Sequence, residues 1–121
     1  MRVELVKDFR FEAAHRLPMV PPDHKCFRVH GHSFRVEVKI AGLVDPAMGW
    51  LVDFGEIAAR VEPVLKDELD HRLLNDVAGL ENPTSEQLCA WLWKRLLPLV
   101  PELAAITVHE TCTARCTYRG E

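Results

Sequence analysis

The chain contains no apolar run near the roughly 20 residues that span a bilayer, so no membrane partner is expected. It has no CxxC motif, and Cys26, Cys89, Cys112 and Cys116 are too few and too scattered for a disulfide scaffold. All four read as thiols. Cys112 and Cys116 lack the second pair that a four-cysteine zinc site needs, so they read as strand or turn residues, and Cys89, beside Leu88 and Leu92, reads as a packing residue. There is no basic excess either: 15 Lys and Arg against 18 Asp and Glu give a net charge of −3, which argues against bulk attraction to nucleic acid. A local basic pocket is still possible, from Lys25, Arg28 and Arg35. No repeat, low-complexity tract or linker interrupts the chain, so residues 1–121 are expected to form a single domain. Met1-Arg2-Val3-Glu4 is charged with no apolar run behind it, which predicts a cytoplasmic protein without a secretory signal.

What is present is enough apolar residue, 48%, for one modest core. From Val3 to His15, Phe9, Phe11 and Ala13 alternate with Arg10, Glu12 and Ala14, the period of a strand. Leu17 to Asp23 holds three prolines and reads as a loop. From Gly31 to Ala41, Phe34, Val36, Val38 and Ile40 share one face, as in a half-buried antiparallel strand. Asp53 with Glu56 approximates a capping box, and Ile57, Val61, Val64, Leu65 and Leu69 carry helical spacing. Pro63 predicts a kink or a short first segment in that helix. A second helix is expected after Asn82-Pro83, with Thr84 as N-cap, Gln87 as its reciprocal partner, and a stripe of Leu88, Trp91, Leu92, Leu96 and Leu99. Strands over Ala105–Thr111 and Ala114–Arg119 complete a β-β-α-α-β-β order. That order predicts an α+β domain in which two helices cover one face of a four-stranded antiparallel sheet. Such a sheet leaves two long edges bare, and oligomerisation into a barrel would remove them.

The chemistry centres on His30-Gly31-His32 at the entry to the second strand. Residues two apart on a strand share a face, so both imidazoles can converge on one ion. His15 ends the preceding strand and can reach the same point if the two strands form a hairpin. Three histidines leave a fourth position open, as in catalytic zinc sites. Spacing alone weighs this about evenly against chance placement on a solvated face. Cys26, close to Lys25 and Arg28, is favoured as thiolate beside a dication and can serve as a base, a nucleophile or a fourth ligand; the sequence does not separate these. Asp70-His71 reads first as a charged helix end, because adjacent residues on a regular helix diverge and a working pair needs irregular backbone. Glu110 is either a solvated strand end or a carboxylate that accepts two N–H groups from an amidine-like ring edge. His24 and His109 read as surface or packing residues.

Taken in order, Ala14-His15, Cys26-x-x-x-His30-Gly31-His32, Val52-Asp53-Phe54, Leu69-Asp70-His71, Asn82-Pro83-Thr84-Ser85-Glu86 and Glu110 resemble the 6-pyruvoyltetrahydropterin synthase superfamily over nearly the whole chain. The three-residue spacer before His30 is similar to its 6-carboxytetrahydropterin synthase branch, of queuosine biosynthesis. The resemblance implies a tunnelling fold, a trimer-based homo-oligomer that can stack into a hexamer, and active sites between subunits. It implies zinc on His15, His30 and His32, Cys26 as proton-transferring base, and Asp70 and His71 as the partner acid–base pair. Glu110 would anchor a pterin, with Thr84 and Ser85 lining its pocket. The implied reaction converts 7,8-dihydroneopterin triphosphate to 6-carboxy-5,6,7,8-tetrahydropterin, acetaldehyde and triphosphate.

Overall fold

A computed structural model describes all residues from Met1 to Glu121. Strand β1 (Arg2–His15) and strand β2 (His30–Leu43) pair antiparallel along their whole length, from Arg2 opposite Leu43 to His15 opposite His30. Helix α1 (Phe54–Glu68), a short strand β3 (Arg72–Leu73), helix α2 (Ser85–Leu96), β4 (Leu103–His109) and β5 (Arg115–Tyr118) follow. The sheet order is β3-β1-β2-β4-β5.

The alternation in the two long strands does what it predicts. Phe9, Phe11, Ala13 and His15 of β1 are buried on the same face as Phe34, Val36, Val38 and Ile40 of β2. Phe11 and Phe34 lie directly opposite and stack at 5.0 Å. Onto this face α1 packs Ile57, Val61, Val64 and Leu65, and α2 packs Leu88, Cys89, Leu92 and Leu96, giving one core cluster of 22 residues. The other face is polar, with Arg35 paired to Asp8, Lys39 to Glu4, and the Thr107 and Thr117 hydroxyls 2.7 Å apart.

The expected architecture holds, with local differences. The sheet has a fifth strand: β3 pairs parallel to β1 at Ala13 and Ala14, too short to leave a periodic signal. It covers only that end, so the outer edge of β1 before Phe11 and the outer edge of β5 have no partner within the chain. Pro63 neither ends nor shortens α1. It sits on the exposed side, and the carbonyl it leaves free, that of exposed Ala59, can bond to water. Asp53 caps α1 by accepting from Gly55 N, but Glu56 turns outward to Arg60 instead of closing a box. Thr84 caps α2 by accepting from Gln87 N, while its own N–H bonds to the Asn82 carbonyl, so Gln87 has no reciprocal role. The α2 stripe stops at Leu96. Beyond it the backbone tightens, with Leu99 N and Val100 N both on Leu96 O, so Val100 turns inward and Leu99 outward. No helix is long and apolar enough to cross a membrane.

Candidate metal centre and its cavity

The β1–β2 register brings the three histidines together. His15 lies opposite His30, and His32 lies opposite Ala13 on the same face, so the rings meet edge-on with centroids 4.6 to 5.1 Å apart. β4 supplies a fourth donor. His109 pairs with Arg35, so the next residue, Glu110, points to the core face at the level of His32. Its Oε1 lies 3.0 Å from His32 Nε2 and 3.7 Å from His15 Nε2. One donor atom from each of His15, His30, His32 and Glu110 lies within 4.8 Å of all the others. The fourth position expected to be open thus has a carboxylate beside it.

The backbone fixes which nitrogen faces the centre. His15 Nδ1 is 2.9 Å from the Pro83 carbonyl and His30 Nδ1 is 2.7 Å from the Arg28 carbonyl. A carbonyl only accepts, so each Nδ1 carries the proton and donates, and each Nε2 presents a lone pair inward. Burial pushes the His15 and His32 pKa values below the ordinary imidazole range, against the opposing pull of Glu110, which favours the neutral rings that a metal needs. Nε2 of His15 and of His32 is buried with no hydrogen-bond partner, with Glu110 Oε1 3.0 Å from the His32 nitrogen. Two orphaned inward-facing nitrogens in one site are costly unless something binds there. The donor set of three imidazoles and a carboxylate suits a divalent transition ion.

The other expected residues divide into two groups. Cys26 lines a cavity of about 330 Å³ with Lys25, His30, His32, Glu110 and Thr111. Its thiol is outside the four-donor group. The turn that carries it is tightly held: Cys26 N donates to His24 Nδ1, Leu17 N donates to the Cys26 carbonyl, and Arg16 both donates to the Phe27 carbonyl and covers the Phe27 ring. Ser85 donates from Oγ to Glu110 Oε2 at 2.7 Å, which steadies that carboxylate; Thr84 spends its hydroxyl on the helix cap.

Asp70 and His71 lie elsewhere in the chain. α1 has ended, and His71 adopts a left-handed φ of 59°. This is the irregular backbone that a working pair requires. Asp70 Oδ1 accepts from Glu12 N, His71 N donates to Glu12 O, and the Asp70 carboxylate lies 3.8 Å from His71 Nε2. The His71 side chain is 79% exposed and borders a second cleft, with Gly31 and His32, not the Cys26 cavity. His109 is buried on the polar face against Arg35 and Glu37, and His24 caps the Cys26 turn. Sequence patterns could not have shown the Pro83 and Arg28 carbonyls, because backbone acceptors carry no side-chain signal.

The fold is α+β, and its two long strands and the end of β4 bring three imidazoles and a carboxylate into one candidate metal site. The model of the 6-pyruvoyl tetrahydropterin synthase family matches residues 4–121, and the chain belongs to that family of enzymes. It is 43% identical over 119 residues to a Synechocystis protein named 6-carboxy-5,6,7,8-tetrahydropterin synthase, covering 94% of this chain and 91% of that one. A Pyrococcus furiosus dihydroneopterin monophosphate aldolase is 32% identical over 84% of this chain and 81% of its own. The Caenorhabditis elegans 6-pyruvoyl tetrahydropterin synthase structure superposes with a TM-score of 0.91 at 29% identity, covering 100% of this chain and 97% of that one.

Proposed function

We propose that this chain is a zinc-dependent carbon–carbon lyase. It converts 7,8-dihydroneopterin triphosphate and water to 6-carboxy-5,6,7,8-tetrahydropterin, acetaldehyde and triphosphate, a step of queuosine biosynthesis. The observation that carries this reading is the shared cavity: His30 and His32, two of the three grouped imidazoles, line it together with Cys26, which a three-residue spacer sets before His30. The Synechocystis relative supports the carboxy product.

In this reading His15, His30 and His32 hold the ion. Zinc bound there would polarise the hydroxyls of the substrate side chain and acidify the protons beside them. Cys26 Sγ takes or returns a proton on one side of that side chain. His71, oriented by Asp70, does so on the other, and it comes from a neighbouring subunit, because within one chain His71 and Cys26 border different cavities. Glu110, steadied by Ser85, accepts the amino-pyrimidine edge of the pterin. Thr84 borders that pocket through its position at the start of α2. The first two side-chain carbons are oxidised, to carboxylate and to aldehyde, while the ring gains two hydrogens and the terminal carbon, losing triphosphate, is reduced to the methyl of acetaldehyde, so the electrons balance without an external reductant. A trimer-based homo-oligomer, stacked to a hexamer, fits the unpaired outer edges of β1 and β5.

Incubation of the metal-loaded protein with dihydroneopterin triphosphate, with mass analysis of all products, tests the reaction. Acetaldehyde and the carboxypterin are expected. A second reading, a pyruvoyl-type synthase or side-chain aldolase, is favoured by relatives so named. A retained three-carbon side chain or a released glycolaldehyde-type fragment would establish it in place of the first.

A further inference from the structure

The proposed substrate carries a highly charged triphosphate, and the site described so far offers it only neutral imidazoles and a carboxylate. The sequence places three cations near the histidine segment: Lys25, Arg28 and Arg35. The fold separates them. Arg35 lies on the opposite face of the sheet, 2.8 Å from Asp8 and 4.0 Å from Glu37, with its guanidinium over the His109 ring. Arg28 gives its carbonyl to His30 and does not line the cavity. A fourth cation, Arg16, is spent on the Phe27 carbonyl and ring. Lys25 alone lines the cavity with Cys26, His30, His32 and Glu110, and it has no carboxylate within 4.0 Å.

We infer that Lys25 is the phosphate-recognising residue of this site: its ammonium binds the substrate's triphosphate and so selects phosphorylated dihydropterins over their free alcohols. The inference rests on the functional reading above and adds the substrate feature that the cavity discriminates. Two features support it beyond proximity. Lys25 occupies the 3-10 turn Lys25–Phe27, whose backbone is fixed by Arg28 N on the Lys25 carbonyl and by the His24 cap, so the side chain starts from a fixed point at the cavity. Thr111, on the same wall, has a hydroxyl that can add a neutral hydrogen bond to the same anion. A lysine suits this task because an ammonium is a compact charge that follows a flexible polyphosphate without needing fork geometry.

The test uses the zinc-loaded full chain and its K25A and K25R variants. Three quantities are read: inhibition by inorganic tripolyphosphate, KM for dihydroneopterin triphosphate, and affinity for unphosphorylated 7,8-dihydroneopterin. Loss of one charge-assisted contact in K25A should weaken tripolyphosphate inhibition and raise KM by roughly ten- to a hundredfold. Unphosphorylated dihydroneopterin and zinc content should change less than about twofold, and K25R should recover most of the loss. Equal weakening of both pterins, unchanged tripolyphosphate inhibition, or a shifted pH profile of kcat at constant KM each overturns the inference; the last would mean that Lys25 acts on Cys26 instead. The reaction is judged separately. If the products are not carboxypterin and acetaldehyde but tripolyphosphate inhibition still depends on Lys25, the proposed reaction falls and the phosphate site stands.

Discussion

Replacing His15 with alanine separates metal binding from packing. His15 is fully buried, with its ring 5.7 Å from Phe34 and its Nδ1 on the Pro83 carbonyl. Truncation forfeits packing worth about 2–4 kcal/mol and strands the Pro83 acceptor at a cost of about 1–3 kcal/mol. It also removes a buried Nε2 that lacks a partner, which returns a similar amount to the metal-free protein. The metal-free variant should therefore be less stable by about 2–4 kcal/mol. The larger effect concerns the ion. At a thousand times its Kd, zinc adds about 4 kcal/mol to the wild type. For a domain of this size that is a Tm rise of roughly 15 °C. In His15→Ala at the same zinc concentration most of that rise should vanish, because one of three inward nitrogens is gone. Phe34→Leu is the control: it damages the same packing, removes no donor, and should lower Tm while keeping the zinc-dependent rise. Thermal unfolding with and without zinc, after chelator treatment, reads all three proteins. A full zinc-dependent rise in His15→Ala would refute the assignment of His15 as a ligand.

Cys26→Ala should keep stoichiometric zinc by metal analysis and lose about 10²- to 10⁴-fold in turnover, since its thiol is outside the four-donor group; parallel loss of zinc would make Cys26 a ligand. Glu110→Gln should keep zinc and raise KM for the pterin by roughly tenfold or more, and a zinc loss equal to that of His15→Ala would make Glu110 the fourth ligand instead of the pterin anchor. Thr84→Ala should cost about 1 kcal/mol in urea unfolding, because the hydroxyl caps α2, with kcat unchanged. Burial beside Cys116 pushes the Cys89 thiol up to about 12, so native protein at pH 8 should be alkylated at exposed Cys112 while Cys89 stays protonated and unmodified; its early labelling would show that the α2–β5 contact opens readily.

The parts of the fold that sequence foretold are those in which one side chain in two or in three to four reports its environment. Phe9 to His15 and Phe34 to Ile40 alternate because one face meets helices and the other meets charges, and that alternation also sets the histidines on the core face. The helices were legible from Ile57 to Leu65 and from Leu88 to Leu96 for the same reason. The short first segment expected at Pro63 is absent because a proline's effect depends on where the freed carbonyl points, and here exposed Ala59 carries it. Leu99 misled because the helical period was extended past a point where the backbone had already tightened. β3 was invisible: two residues have no period.

The candidate site was legible in its histidines and not in its supports. His30-Gly31-His32 announces itself by spacing, but the features that aim the nitrogens are the Arg28 and Pro83 carbonyls, one local and one 68 residues from the ring it orients. Glu110 shows the same limit. Whether it is a solvated strand end or part of the centre turns on the pairing of β4 with β2: a shift of one residue would put it on the polar face with Arg35. Asp70-His71 is the converse case. A regular helix would have splayed the pair, and the sequence could state only that irregular backbone was required. The left-handed turn at His71 meets that requirement, and the two hydrogen bonds to Glu12 hold it at the β1 edge. That edge is unpaired before Phe11. A strained histidine held at a sheet edge, bordering a different cavity from its own chain's thiol, makes sense if the edge is where another subunit docks, because assembly would then complete the proton-transfer pair and cover the edge in a single event. Dilution below the assembly threshold should consequently abolish turnover while zinc, bound within one chain, stays in place; activity that persists in an isolated monomer would show that His71 is not needed from a neighbour.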